Sequence, residues 1–281
     1  MSSTKSIAVC LVAIFLSSSL FAQNIWLADT AEYIGLEYTK ASFKGPSDAS
    51  FFSGVFHVYG SKRIGRNLYL NVDVPILNLN DDDDSETSFG NVQVGLKLGT
   101  KKPSTYGKIA AILPTVDEDK PSAIGRGFLT DPLRIEVVMP WAWGLIAKIN
   151  HEQKLNNKGL YFKVNGGFVF FRDTKSVSQF DEPLENYLFA DYMLQFGFLS
   201  TDNIKFSAAV EGRTGINDVV SEVFFGKRSA YMADLGVSYK GKHIEPGLLV
   251  KIPLSDPFKD ALSNTVTFSL IYHFGSNDSL Y

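Results

Sequence analysis

The sequence predicts an all-β protein: a single antiparallel transmembrane β-barrel of about twelve strands, within a range of ten to fourteen. Three observations predict it. Apolar and polar residues alternate with period two along most of the chain, several alternating runs last ten residues or more, and the connections between runs are alternately short and long. Strand side chains point to opposite faces in turn, so such runs are strands with one apolar face.

The pattern is plainest in two runs. "NLYLNVDV" (67–74) sets Leu68, Leu70, Val72 and Val74 against Asn67, Tyr69, Asn71 and Asp73. "NVQVGLKL" (91–98) sets Val92, Val94, Leu96 and Leu98 against Asn91, Gln93, Gly95 and Lys97. The full set of strands is read near 31–42, 51–60, 67–77, 89–99, 106–114, 140–150, 159–171, 187–199, 203–214, 230–239, 243–252 and 265–274. Globular strands commonly run about five or six residues, whereas a tilted membrane strand needs about nine to eleven.

The apolar faces are read as free of Asp, Glu, Lys and Arg in all twelve strands. Lipid imposes such an exclusion, because Lys or Arg at mid-bilayer costs about 2–4 kcal/mol. The opposite faces carry Glu37, Asp73, Lys97, Lys108, Lys148, Lys163, Asp191, Lys205, Glu211, Arg213, Asp234, Glu245 and Lys251. These are the candidate pore-lining residues. Seven positive and six negative charges fit either a polar transport path or a lumen filled by its own ion pairs, since buried charges need partners.

The short connections are 61–66, 100–105, 151–158, 201–203 and 240–242; the long ones are 44–50, 78–88, 115–139, 172–186, 215–229 and 253–264. Short turns on the periplasmic side and long loops outside are expected of an outer-membrane barrel. The short set carries nine Lys or Arg against Glu152 and Asp202, and the long set is rich in acids. Among the long loops, 217–225 and 255–262 each carry a helix-start pattern and either fold into the pore or form a surface turn. The end of the 115–139 loop, "LRIEVVMPW", is read as a strand extension above the membrane. Trp26, Trp141 and Trp143 fit an aromatic girdle, and Pro246 marks a bulge near a periplasmic turn.

The remainder of the chain bounds location and chemistry. Of 281 residues, 45% are hydrophobic, and the net charge of −3 gives no sign of a nucleic-acid partner. Lys5, the apolar run 7–16 and the small residues up to Ala22 predict a signal peptide over 1–22, leaving the barrel over 23–281. The one cysteine, Cys10, leaves with it. No nucleophile motif, phosphate loop or metalloprotease motif is found, so no catalytic residue, enzyme activity or cofactor is expected. His57 and His273 are read as inward, hydrogen-bonded lining residues. The acidic run "DDDDSE" supplies Asp81, Asp82, Asp83, Asp84 and Glu86 as loose cation candidates only, because a dedicated calcium loop needs acids at alternate positions and a mid-loop glycine.

Over its mature length the chain resembles Gram-negative outer-membrane β-barrel proteins. Its last strand, "TVTFSLIYHF" (265–274), aligns Phe268, Leu270, Tyr272 and Phe274 on one face and ends in an aromatic residue. That resemblance implies the outer membrane as location, with its lipid and the barrel-assembly machinery as partners. More narrowly, "FGNVQVGLKLG" (89–99) followed by "ILPT" (112–115) resembles the barrel family grouped under the meta-pathway of phenol degradation. That family more often has Gly-Asp in place of Gly90-Asn91. The resemblance implies a narrow channel or transporter for small solutes, apolar ones among them. The alternative is a structural or surface-interaction barrel with a filled lumen.

Overall fold

The computed structural model describes residues 32–44, 53–80, 85–99, 104–155, 159–173, 186–200, 203–217, 228–256 and 258–274. The predicted signal peptide, Trp26 and Asp81–Asp84 lie outside the described residues, as does all of the 217–225 pattern but Asn217.

Twelve strands close into one antiparallel barrel. They are β1 (Tyr33–Phe43), β2 (Gly54–Arg63), β3 (Leu68–Asn80), β5 (Val92–Gly99), β6 (Ser104–Leu113), β7 (Ala142–Lys154), β8 (Leu160–Asp173), β9 (Asn186–Leu199), β10 (Ile204–Gly215), β11 (Ser229–Tyr239), β12 (Ile244–Pro253) and β13 (Leu262–His273). Each pairs with its sequence neighbour, and β1 pairs with β13 from Tyr33↔His273 upward, so no edge is left to solvent or lipid. A thirteenth strand, β4 (Ser85–Phe89), pairs with the upper part of β3. The 78–88 connection is therefore mostly hairpin rather than loop.

The lipid-facing and lumen-facing sides are those of the alternation. Leu70, Val72, Leu96, Leu98, Leu194, Phe196, Phe268 and Leu270 are all exposed, while all thirteen charged candidates are buried. Lys40 breaks the charge-free reading: it stands on the outward face of β1, opposite Val266, near the strand's upper end. A long side chain there places its ammonium toward the head groups. Pro246 stands where pairing of β12 with β11 stops, one residue beyond Gly247↔Ser238, so its missing N–H falls at the ladder's end rather than in a bulge. Trp143 is outward and packs edge-on against Phe170, 6.1 Å between centroids. Trp141 instead turns the chain into β7 with a left-handed φ of 58°.

The largest departure is the segment between β6 and β7. The expected strand extension is absent; 114–141 forms helix α1 (Pro121–Thr130), then a 3-10 turn at Ile135–Val137. Residues 131–138 are all buried, and α1 packs on β3, β2, β4 and β1. Apolar side chains drive this segment inward. Leu133 and Ile135 join Ile112, Ile146, Val169, Phe171, Phe189 and Met232 from the barrel wall in one cluster. Val137, Val138 and Ala123 join Val55 and Leu77 in a second. Burying one such side chain contributes about 1.5–3 kcal/mol. Helix α2 (Phe258–Ala261) follows the predicted start pattern at Asp256-Pro257. It also turns inward: Phe258 is buried in the first cluster, 6.5 Å from the Phe128 ring.

Candidate functional site

The candidate site is the lumen and the 114–141 plug inside it. The plug is held at its base around one residue, Asn91. β4 and β5 form one strand line broken at Gly90-Asn91, where the register against β3 shifts by a residue, from Ile76↔Phe89 to Asp73↔Gln93. The bulge frees Asn91 to face the lumen. Its Nδ2 donates to the carbonyls of Glu136 (2.8 Å) and Met139 (2.7 Å), and its backbone N–H donates to Val137 (2.6 Å). Its Oδ1 accepts from the N–H of Thr115 at 3.0 Å and of Val116 at 3.4 Å. Asn91 thus clasps both ends of the plug. Gly90 allows the approach, since a Cβ there would lie 2.8 Å from the Val137 carbonyl oxygen and from Pro75 Cβ. Thr115 completes the clasp by donating to the Gly90 carbonyl at 2.6 Å. Aspartate at position 91 would lose both donated side-chain bonds, which is why an amide suits this clasp.

Two ion-pair clusters pin the plug further in. Arg134 donates to Asp131 (2.5 Å) and reaches Glu37 on β1 (3.6 Å) and Asp73 on β3 (3.7 Å). It also lies 2.6 Å from Nε2 of His57 on β2. His57 Nδ1 lies 2.9 Å from Asp73. With a guanidinium at Nε2, that nitrogen is the acceptor and Nδ1–H donates to Asp73. Burial pushes the Asp131 carboxyl up, but the guanidinium beside it outweighs this and holds it below the usual carboxylate range. The second cluster reverses the signs. Glu136 of the plug accepts from Arg213 on β10 at 2.5 Å, and Arg213 also donates to Asp191 at 2.6 Å, which Lys148 contacts in turn.

Two of the remaining candidates, Glu211 and Lys251, pair with each other at 2.5 Å, and Asp234 faces Lys251 across the ladder. Toward the short turns, Glu245 meets His273 at 3.3 Å and accepts from Ser238. Lys97 lies 5.7, 5.2 and 5.3 Å from the ring centroids of Tyr33, Tyr69 and Tyr106, and Lys205 lies 5.4 Å from that of Tyr161. Lys108 and Lys163 are buried on the same wall. The structure thus gathers the thirteen candidates in one lumen. The alternation did not reveal the plug residues Arg134 and Glu136 as partners of Glu37, Asp73 and Arg213, nor Asn91 on the wall as the plug's clasp.

Of the cation candidates, Glu86 is committed elsewhere. Its carboxylate accepts from the N–H of Ala123 at 3.0 Å, capping the first turn of α1, whose own N-cap, Lys120, makes no side-chain bond. Among the described residues no group of three or more possible metal ligands forms.

No protein-family model and no curated protein matches the chain. Solved structures do. An outer-membrane channel from Pseudomonas putida F1 is similar at 8% identity and a TM-score of 0.59, over 91% of this chain and 100% of that one. The NanC porin is similar at 10% identity and 0.52, over 86% and 99%. This chain has the fold of an outer-membrane β-barrel. LpxR from Salmonella typhimurium is more distant, at 10% identity and a TM-score of 0.46, over 86% and 100%. At these identities the likeness is one of fold, and the outer-membrane barrel described here carries its own plug, clasp and ion pairs.

Proposed function

We propose that this barrel is a narrow channel or transporter for small solutes, apolar ones among them, in the outer membrane of a Gram-negative bacterium. Its 114–141 segment acts as the gate. The observation that carries the reading is how the plug is attached. It is tethered at both ends by Asn91 and pinned by Arg134 and Glu136, with none of its residues inserted in the barrel sheet. Such a segment can leave the lumen without breaking a ladder hydrogen bond. Two solved outer-membrane channels of the same fold support this reading. Export by residues 1–22, insertion by the barrel-assembly machinery and a lipid-facing belt belong to the same proposal. A non-enzymatic role is supported by His57, whose two nitrogens are engaged by Asp73 and Arg134.

A filled, non-conducting barrel is favoured by a different observation, the apolar packing of Leu133 and Ile135 against the wall. Planar-bilayer recordings of the purified barrel and of an Arg134→Ala/Glu136→Gln variant separate the two. Rare or small openings in the parent and frequent ones in the variant are expected of the channel. Silence from both at every voltage leaves the filled barrel.

A further inference from the structure

The lumen charges are balanced in number but segregated in space. Lys97, Lys108, Lys148 and Lys163 face inward from four consecutive strands, β5 to β8. Three of them are direct register partners: Lys97 opposes Lys108, and Lys108 opposes Lys148. The acids of these four strands are Glu152, which stands opposite Lys163 toward the short turns, and Asp173 at the end of β8, so the uninterrupted row is Lys97, Lys108 and Lys148. The adjoining wall is the reverse. On β1 to β3 the inward charges are Glu37 and Asp73, and Arg63 stands at the strand end.

Like charges directly opposite one another across a ladder destabilise it. A lumen that only had to be filled would interleave the signs, as Lys251 and Glu211 do. A row of cations on adjacent strands has a use in a pore: it focuses potential along one path and concentrates anions there. The tyrosines add a second property. Tyr33, Tyr69 and Tyr106 surround the Lys97 ammonium, and Tyr161 shares β8 with Lys163. Ammonium groups beside aromatic faces match a solute with a negative head and an apolar body better than a bare inorganic ion.

We infer that the β5–β8 wall is an anion path and that the solutes of this barrel are small organic carboxylates. The inference rests on the channel reading above and names its substrate class.

The test uses the full barrel in planar bilayers under a potassium chloride gradient, then with acetate replacing chloride. The expected reversal potential has the anion sign, and acetate carries more current relative to chloride than it does in free solution. Replacing Lys97, Lys108 and Lys163 by Met should cut the anion-to-cation permeability ratio several-fold while openings persist. Lys148 is left in place because it contacts Asp191. If the triple variant fails to give the heat-modifiable folded band, Lys108→Gln alone is measured for the same loss of anion preference. Openings without anion preference in the parent, or a preference unchanged in the lysine variants, overturn the inference and leave the channel reading standing. Acetate current no higher than its free-solution share overturns the carboxylate assignment. Silence from both the parent and the Arg134→Ala/Glu136→Gln variant overturns the channel reading, and the inference falls with it.

Discussion

The two halves of the lumen are built by the same twelve strands and packed by different rules. Toward the long loops the inward residues are Ala41, Val55, Leu77, Ile112, Ile146, Val169, Phe171, Phe189 and Met232, and with the plug they form a core like that of a soluble protein. Toward the short turns the inward residues are Ser61, Tyr69, Asn71, Lys97, Asn165, Lys205, Ser207, Ser269 and His273. There Tyr59 Oη, Ser61 Oγ, Asn71 Oδ1, Asn165 Oδ1, Ser207 Oγ and Ser269 Oγ make no hydrogen bond to protein. Buried polar groups without protein partners take water. The upper half is packed by apolar burial and ion pairs, whereas the lower half is lined by polar and tyrosine side chains. On the channel reading proposed above, the barrier to solutes is the plug and not the barrel as a whole.

The contrast can be broken at several points. Phe189→Ala, in the upper core, is expected to cost about 3–5 kcal/mol, read as a lower temperature of conversion from folded to unfolded band on gels. A change near zero would show the upper half to be loosely packed. Arg134→Ala leaves Glu37, Asp73 and Asp131 buried together, and losing one partner of a buried pair costs about 3–5 kcal/mol. Part of that cost is relieved if the plug leaves, so the variant should become protease-sensitive within 114–141 while the barrel band survives. Asn91→Asp removes two donated bonds and should cost about 1–3 kcal/mol, with the same local sensitivity. A cut pattern like the parent's would show that the clasp is dispensable. Ser207→Ala, in the lower half, should stay within about 0.5 kcal/mol. A larger loss would show that half to be dry.

The strands were legible because lipid and lumen impose opposite demands on alternate residues. That makes the lipid face, the strand count and the thirteen inward charges readable in the sequence. The plug was not legible, because its partners are far apart in sequence and its segment carries no strong period. One signal was present. "AAIL" (110–113) and "FVFF" (168–171) are apolar on both faces, as strands buried on both sides are. Inward Ile112, Val169 and Phe171 needed something apolar opposite them, and Leu133 and Ile135 supply it. Asn91 was visible as part of a family-like stretch, but its role depends on a one-residue bulge that a pattern of alternation hides.

The reach of the plug also bears on how the chain closes on itself. The seam between β1 and β13 joins residues 228 apart, as at Thr39 and Thr267. The plug's pins span 77 residues in each direction, from Arg134 back to His57 and from Glu136 on to Arg213. Closing a loop of that shorter span costs about 1 kcal/mol less in chain entropy than closing the seam directly. Pins that formed before the seam would hold β2 and β10 together and curl the sheet before its ends meet. In that order the plug would serve as a mandrel during assembly, before any role as a stopper.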